Sequence, residues 1–291
     1  MRLTVFTPTY NRRELLTRAY KSLTRQTCKD FEWLIVDDGS VDDTQELVRE
    51  WIELDEICIR YYYRENGGKM RAHNDGAKFA EAPLFVCLDS DDYFVDNAVE
   101  LLLDTWDKAT AESEDAGSLA GIVAHKGKSS DELLGDAEFP FGGESTLYGL
   151  YTGGFKGETT LMFRTDVIRE YPFPEINGEK YVPEDYIYDK IDQKYRLYIL
   201  PCVITVCEIV SEGYTDSVKA LKQNNIMAWY LYYEQRAFIT KASLLKWKYA
   251  SYYVIYSGRA DKPVFKGSRI PAIWILSGYI GAAILLLTGK E

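Results

Sequence analysis

Residues 84–94 read LFVCLDSDDYF, an apolar run that ends abruptly in acidic residues. The run from Leu84 to Leu88 has the length of a buried strand and carries no charge. Asp89, Asp91 and Asp92 follow it directly. Carboxylates this close repel one another unless a cation lies between them. The stretch therefore predicts a site for a hard divalent cation such as Mg²⁺ or Mn²⁺, with an exposed acidic turn as the alternative.

Apolar runs of strand length alternate with helical stripes over the first half of the chain. The predicted strands are Leu3–Thr7, Phe31–Val36, Ile57–Tyr63, Leu84–Leu88 and Leu119–Ala124. This alternation predicts an α/β fold with a mostly parallel sheet flanked by helices. Ligands bind such sheets beyond the carboxyl ends of the strands. Polar residues gather at those ends, namely Tyr10, Asp37, Asp38 and Lys69 besides the acids after Leu88.

The hydrophobic patterns in the second half of the chain are weaker. Residues 126–143 are polar and glycine-containing, so we expect a surface loop. Residues 151–157 carry glycines and aromatics, which suits either a flexible loop over a sugar-like ligand or an ordinary turn. Further strands are predicted at Thr159–Arg164, Arg196–Leu200 and Val203–Ile209, and a turn with a helix cap at Tyr214–Ser217.

Composition limits the function classes. The 291-residue chain is 46% hydrophobic, and it carries 34 Lys and Arg against 45 Asp and Glu, a net charge of −11. The charge is uneven, because residues 237–291 carry +6 and residues 1–236 carry −17. An acidic body argues against nucleic acid as a partner, whereas the basic tail suits an anionic surface.

Motifs that are missing narrow the choice further. No Gly-x-Gly-x-x-Gly follows the first strand and no P-loop motif occurs, so dinucleotide oxidoreductases and P-loop NTPases are disfavoured. The five cysteines include no Cys-x-x-Cys pair, and we expect them to be reduced. A strand-like segment follows Arg2 at once, so we expect no signal peptide and a cytoplasmic protein.

Two further positions carry alternatives. Pro183 ends an extended piece, and Glu184 and Asp185 can open a helix that runs to about Tyr195. Acids in a first helical turn are favoured by the helix dipole alone, so this pair predicts either a helix start or a catalytic acid. His73, just after a glycine turn, either lines a donor pocket or has a structural role.

Taken together, the motifs resemble a known family. They are Thr7–Arg12 (TPTYNR), Val36–Ser40 (VDDGS), Asp42–Thr44 (DDT), Asn66–Gly68 (NGG), Leu88–Asp92 (LDSDD) and Glu184-Asp185. This set is similar to that of the family 2 glycosyltransferases of the GT-A fold, over about residues 1–215. The resemblance implies a Rossmann-like domain and an inverting transferase that uses a nucleotide-diphosphate sugar, often a UDP-sugar, with Mg²⁺ or Mn²⁺.

The resemblance also implies roles for individual residues. Pro8, Tyr10 and Asp38 would contact the nucleobase, and Asp89 would lie near the ribose and the metal. Asp91 would be the main metal ligand, although the adjacent Asp92 leaves the ligand set open. Thr9, Arg12 and Lys69 complete the expected donor-binding set. Asp185 would be the general base, with Glu184 as the alternative.

Inversion needs a base on one side of the sugar and a cation at the leaving diphosphate on the other. We therefore expect transfer to a hydroxyl of a glycan or lipid-linked acceptor in surface polysaccharide synthesis. The alternatives are a non-catalytic nucleotide-sugar or glycan-binding module of the same fold and a metal-dependent nucleotidyltransferase. A base at Asp185 favours the enzyme over the binding module, and the lack of a basic triphosphate loop disfavours the nucleotidyltransferase.

Residues 216–291 are predicted to form a helical extension beyond the domain at 1–215. Helices are expected at Ile226–Ile239 and Ser243–Tyr256, and residues 270–288 are free of charge for 19 positions, close to the ~20 needed for a membrane span. Lys262, Lys266 and Arg269 precede this apolar stretch. We expect peripheral contact with the cytoplasmic leaflet of the membrane. The alternative is a helix pair packed on the transferase domain or in a dimer.

Overall fold

The computed structural model describes residues 1–135, 138–207, 218–241 and 243–289. The chain divides into two compact units. The sheet unit comprises Met1–Phe173 and Ile187–Ser211, and the helical unit comprises Pro174–Tyr186 and Glu212–Glu291. The expected domain boundary at residue 215, the turn at Tyr214–Ser217 and the end of the predicted strand at Ile209 lie outside the described residues.

Over its described residues, the sheet unit contains ten strands. They are β1 (Leu3–Thr9), β2 (Phe31–Asp37), β3 (Ile59–Tyr63), β4 (Leu84–Cys87), β5 (Asp92–Phe94), β6 (Leu119–Ser129), β7 (Glu132–Leu133), β8 (Glu144–Ser145), β9 (Thr159–Arg164) and β10 (Arg196–Cys207). The helices that connect them are α1 (Arg13–Thr24), α2 (Thr44–Leu54), α3 (Lys69–Phe79), α4 (Ala98–Glu112), α5 (Leu147–Thr152) and α6 (Thr165–Glu170). A further helix, α7 (Asp185–Ile191), begins in the helical unit and ends in the sheet unit.

The sheet order is β3-β2-β1-β4-β9-β6-β10-β5, with β7 on β6 and β8 on β10. The first four strands are parallel, and β1 sits between β2 and β4 with Leu3 opposite both Phe31 and Leu84. Strands β6 and β10 are also parallel, whereas β9 runs antiparallel to both β4 and β6. The α/β class is confirmed, and the carboxyl ends of β1, β2 and β4 meet at one edge as expected.

Burial explains why these segments form central strands. All seven residues of β1 and all seven of β2 are buried, which is typical of parallel strands covered on both faces. Trp33 of β2 is fully buried and donates its indole N–H to the Thr7 hydroxyl at 2.9 Å. The ring of Tyr20 stacks on Trp51 with 4.4 Å between centroids, so α1 and α2 share one aromatic core with the sheet.

Two predictions about the second half are wrong. Strand β6 continues to Ser129, so residues 126–129 are not loop, because they pair with the distant strand β10 and with β7, which follows directly as a hairpin partner. Residues 196–207 form one strand instead of two, since the register shift between Leu200 and Val203 absorbs Pro201 without ending the pairing. Residues 151–157 begin as the last turn of α5, and the Phe155 side chain is buried.

The helical unit contains α8 (Val218–Asn224), α9 (Ile226–Ile239), α10 (Leu244–Arg259) and α11 (Ala272–Thr288). The predicted helix at Ile226–Ile239 is confirmed. Helices α9 and α10 pack through tyrosines, with 4.8 Å between the rings of Tyr233 and Tyr252. Over the described part of the chain, no helix combines the length and the apolar character that crossing a membrane requires.

Candidate active site

Two loops meet beyond the carboxyl ends of β1 and β2. The Asn11 amide N–H donates to the Ser40 hydroxyl at 2.9 Å, and the Asn11 side-chain oxygen accepts from the amide of Val41 at 2.8 Å. Asn11 has a φ of +50°, a conformation that asparagine tolerates better than most residues. Pro8 and Thr9 are buried in β1, whereas the Tyr10 ring is 48% exposed above this joint. Tyr10 is therefore accessible to a ligand, and Pro8 and Thr9 shape the floor.

Asp38 fastens the end of β2 to the start of α3. One carboxylate oxygen accepts from Arg64 at 2.7 Å and from the amide of Gly67 at 2.9 Å, and the other accepts from the amide of Gly68 at 2.7 Å. Gly68 has a φ of +96°, which explains the glycine. Because a carboxylate offers about four acceptor positions, Asp38 keeps room for about one further hydrogen bond.

Each acid after β4 faces a basic side chain. Asp89 lies 2.7 Å from the Lys69 ammonium and 3.7 Å from that of Lys126, and Asp91 lies 2.6 Å from the Arg12 guanidinium. Burial opposes ionisation of Asp89, but the charges of Lys69 and Lys126 outweigh it and hold the pKa of this carboxyl well below its usual value. The expected repulsion among the acids is thus relieved by cations of the chain itself.

Asp92 differs from the other two acids. Its side chain is only 8% exposed and lies 2.8 Å from the Lys126 ammonium, whereas those of Asp89 and Asp91 are 27% and 24% exposed. Burial raises the pKa of Asp92 against the opposing charge of Lys126. Burial also opposes the charge on Lys126, but the two carboxylates outweigh it and raise the pKa of the lysine well above its usual value. Lys126 therefore stays charged between them.

The fit to a divalent cation depends on Asp89 and Asp91. Among the residues that the structure describes, no group of three or more His, Cys, Asp or Glu side chains is placed to hold a metal ion. Mg²⁺ is commonly held by one or two protein carboxylates together with phosphate oxygens of the substrate. Two partly exposed carboxylates at the end of β4 fit that pattern, whereas Asp92 is less accessible because its side chain is buried.

The predicted base lies in the helical unit. Asp185 is the first residue of α7, and its side chain is 51% exposed. One of its oxygens, Oδ2, lies 2.7 Å from the Arg236 guanidinium and 3.5 Å from the Tyr232 hydroxyl. Glu184 precedes it as a half-buried residue. Arg236 and Tyr232 both come from α9, so α9 orients this carboxylate.

The structure decides between the two alternatives for His73. His73 is 6% exposed among the rings of Phe6, Phe85 and Phe173, at centroid distances of 5.1–5.6 Å, which favours its structural role. Sequence reasoning missed Lys126 and Arg236. The clustered acids already required compensating cations, but no local pattern indicated which Lys or Arg supplies them.

Comparison with known proteins identifies the family. Residues 4–171 match the description of glycosyl transferase family 2. A GalNAc(5)-diNAcBac-PP-undecaprenol beta-1,3-glucosyltransferase from Campylobacter jejuni is 27% identical over 206 residues, covering 68% of this chain and 62% of that protein. The chain spans only 17–21% of the length of several other curated glycosyltransferases, which it matches over about a third of its own length.

Solved structures agree on the fold. The crystal structure of S. aureus TarS 1-349 in complex with UDP-GlcNAc has a TM-score of 0.62 at 19% identity, covering 92% of this chain and 74% of that one. The mannosyltransferase PcManGT from Pyrobaculum calidifontis, in complex with GDP-Man and Mn²⁺, has a TM-score of 0.56 at 20% identity, covering 98% and 80%. The fold is therefore GT-A, and the chain belongs to glycosyl transferase family 2.

Proposed function

We propose that the protein is an inverting glycosyltransferase that moves a sugar from a nucleotide-diphosphate donor, most simply a UDP-sugar, to a hydroxyl of a glycan or lipid-linked acceptor. The observation that carries this proposal is the pair of partly exposed carboxylates, Asp89 and Asp91, beside the glycine turn that Asp38 holds. Structural neighbours crystallised with UDP-GlcNAc and with GDP-Man and Mn²⁺ support a donor of this class.

In this proposal Asp91 and Asp89 hold Mg²⁺ or Mn²⁺, and Asp92 serves the site by fixing Lys126. The bound cation supplies charge neutralisation for the departing diphosphate. Lys69 and Arg12, which pair with the two carboxylates, are the basic groups nearest to that charge. Pro8, Thr9, Tyr10 and Asp38 are the proposed nucleobase and ribose contacts.

Asp185 is the proposed general base, and Glu184 is the alternative. A base that takes the proton of the attacking hydroxyl contributes about 10²–10⁴ to the rate. The ion pair with Arg236, at 2.7 Å, fixes the orientation of the carboxylate. Arg236 is a positioning residue in this scheme.

The acceptor class follows from relatives. The Campylobacter relative is named for an undecaprenol-linked acceptor, and a Staphylococcus epidermidis relative, 34% identical over 104 residues, is a teichoic acid poly(glycerol phosphate) polymerase. We therefore propose a role in surface polysaccharide synthesis at the cytoplasmic face of a membrane, with peripheral membrane contact.

Release of UDP from a panel of UDP-sugars, measured with and without Mg²⁺ or Mn²⁺, tests the proposal. We expect metal-dependent release that Asp91→Ala abolishes. Asp96→Ala is the matched control, because Asp96 is a nearby, 61% exposed aspartate that pairs with Arg25 outside the acid cluster. Full turnover by Asp91→Ala would overturn the site assignment. Donor binding by calorimetry without any turnover would instead favour the non-catalytic module.

A further inference from the structure

Helix α11 buries two glycines and an alanine together with Ile275, and it leaves most of its large apolar side chains exposed. Its buried positions include Gly278, Gly281 and Ala282. Its exposed positions hold seven large apolar side chains, Ile273, Leu276, Tyr279, Ile280, Ile284, Leu286 and Leu287, of which Leu287 is 87% and Ile273 is 68% exposed. A surface helix normally shows the reverse arrangement, with its apolar stripe toward the core.

The face of α11 that packs on α10 prevents the helix from rotating about its axis. A Cβ at Gly278 would lie 2.8 Å from the carbonyl oxygen of Ala250 on α10, so the backbones approach too closely for a side chain. The Trp247 indole of α10 donates to the Ser277 carbonyl oxygen at 3.0 Å and fixes the rotation of α11. The large apolar residues are therefore held outward by the packing of α11 on α10.

Charge in the segment that leads into this face is mainly positive, with Asp261 as the acid that precedes it. Residues 262–289 contain Lys262, Lys266 and Arg269 and no acidic residue. All three basic side chains are exposed in the segment that leads into α11. The rings of Phe265 and Tyr279 stack with 6.4 Å between centroids, which joins the basic segment to the apolar face. An apolar strip beside positive charge matches the chemistry of an anionic membrane surface.

We infer that the outer face of α11 is a docking surface for an anionic lipid bilayer, on which the helix lies in the plane of the headgroups. Lys262, Lys266 and Arg269 contact the lipid phosphates, and the side chains around Ile280 enter the acyl boundary. A second copy of the chain fits less well, because its own segment would bring three positive charges, Lys262, Lys266 and Arg269, against the single acid Asp261. The inference deepens the proposed function. It rests on that function in one respect, because membrane docking is useful to the enzyme only if the acceptor is lipid-linked.

Co-sedimentation with vesicles, in the absence of donor, tests the surface. The full chain is expected to bind vesicles of phosphatidylcholine mixed with phosphatidylglycerol and to bind pure phosphatidylcholine much more weakly. Ile280→Glu should lower binding by about tenfold or more, since it places a charge at the acyl boundary. Replacing Lys262, Lys266 and Arg269 together by Gln should lower it on the order of a hundredfold at low salt.

Leu54→Glu is the matched control, because Leu54 is 62% exposed on the sheet unit and Ile280 is 65% exposed. It should leave vesicle binding unchanged, and circular dichroism should confirm that all variants fold. Absence of wild-type binding to anionic vesicles would overturn the inference. So would light scattering that shows a dimer which Ile280→Glu dissociates. Because the measurement needs no turnover, a protein that binds vesicles but transfers no sugar would refute only the proposed function.

Discussion

The strand ends of the sheet unit and the outer face of α11 differ in how their side chains are partnered. At the strand ends, each of the three acids has a basic partner within 2.6–2.8 Å. On α11, the large apolar side chains stay exposed and the described residues do not cover them. A ligand at the strand ends must exchange partners with charges that are already paired, whereas a ligand on α11 only has to displace water. A binding site whose charges are already paired is therefore harder to recognise than an exposed apolar surface.

The largest effect is expected from Asp185→Asn, which removes the charge that pairs with Arg236. The variant keeps the shape of the side chain but removes the negative charge of the proposed base and its attraction for Arg236. We expect the turnover number to fall by about 10²–10⁴ while the KM for the donor changes little. Steady-state kinetics of UDP release measures both values. Glu184→Gln is the matched control, and if its loss exceeds that of Asp185→Asn, the two roles must be exchanged.

Lys126→Met breaks the matching at the strand ends. It leaves Asp92, which is 8% exposed, without its cation, and a buried charge that loses its partner costs about 3–5 kcal/mol of unfolding free energy. Chemical denaturation measures the loss, and adding Asp92→Asn should restore part of it. Lys128→Met is the control, because Lys128 lies on the same strand and is 52% exposed, so its pair with Glu132 contributes little. Equal effects at both lysines would show that the cluster is not held by Lys126.

Gly278→Ala probes the packed face of α11. The new methyl group would lie 2.8 Å from the Ala250 carbonyl oxygen, so we expect a loss of about 1–3 kcal/mol in thermal unfolding from overpacking. Gly258→Ala on α10 is the matched control, since a Cβ there meets nothing within 4 Å. That substitution should stabilise the protein slightly by favouring the helix. A neutral Gly278→Ala would mean that α11 can rotate, and the docking surface would then not be fixed.

The smallest expected effect is on the pH dependence of stability and concerns His125 on β6, whose acidic neighbour is Glu138. Burial lowers the pKa of His125, and Glu138, whose carboxylate lies 3.5 Å away, only partly opposes this. The unfolded residue titrates near pH 6.5, so as the pH falls the unfolded chain binds the proton first. The stability that neutral His125 contributes is thus present above about pH 6.5 and is lost as the pH falls toward the lowered folded value.

The variant His125→Gln should flatten this part of the stability profile. Thermal unfolding between pH 7.5 and 5 checks the slope, in a range where few side chains other than the two histidines titrate. An identical slope in the wild type and the variant would contradict the assignment to His125.

The positions of the acids could be predicted from the sequence, whereas their partners could not. Parallel strands fix where Asp38, Asp89 and Asp91 lie, because each follows a short apolar run whose carboxyl end must reach the same edge. Lys126 sits in a polar segment that has no hydrophobic period, and it becomes a strand residue through pairing with β10 and through backbone hydrogen bonds to Glu158 and Leu134. The local sequence pattern around a residue does not show which distant residue it will pair with.

The same limit applies to the tail. The sequence shows that residues 270–288 are apolar all round, and the helix follows from this. Which face is exposed depends on the close approach of Gly278 and Gly281 to α10, which is a property of the packed pair. Small residues such as these glycines permit close helix contact, but the sequence does not show which neighbouring helix they contact.

One consequence of the bonds made by Asp38 concerns how fast the proposed nucleotide donor would bind. Arg64 and two backbone amides already hold the turn at Gly67 and Gly68 in a single shape. An arriving donor has no loop to freeze there, so little conformational entropy is lost at that step. Recognition at this corner should resemble a rigid template, in which encounter frequency sets the association rate and no slow rearrangement follows.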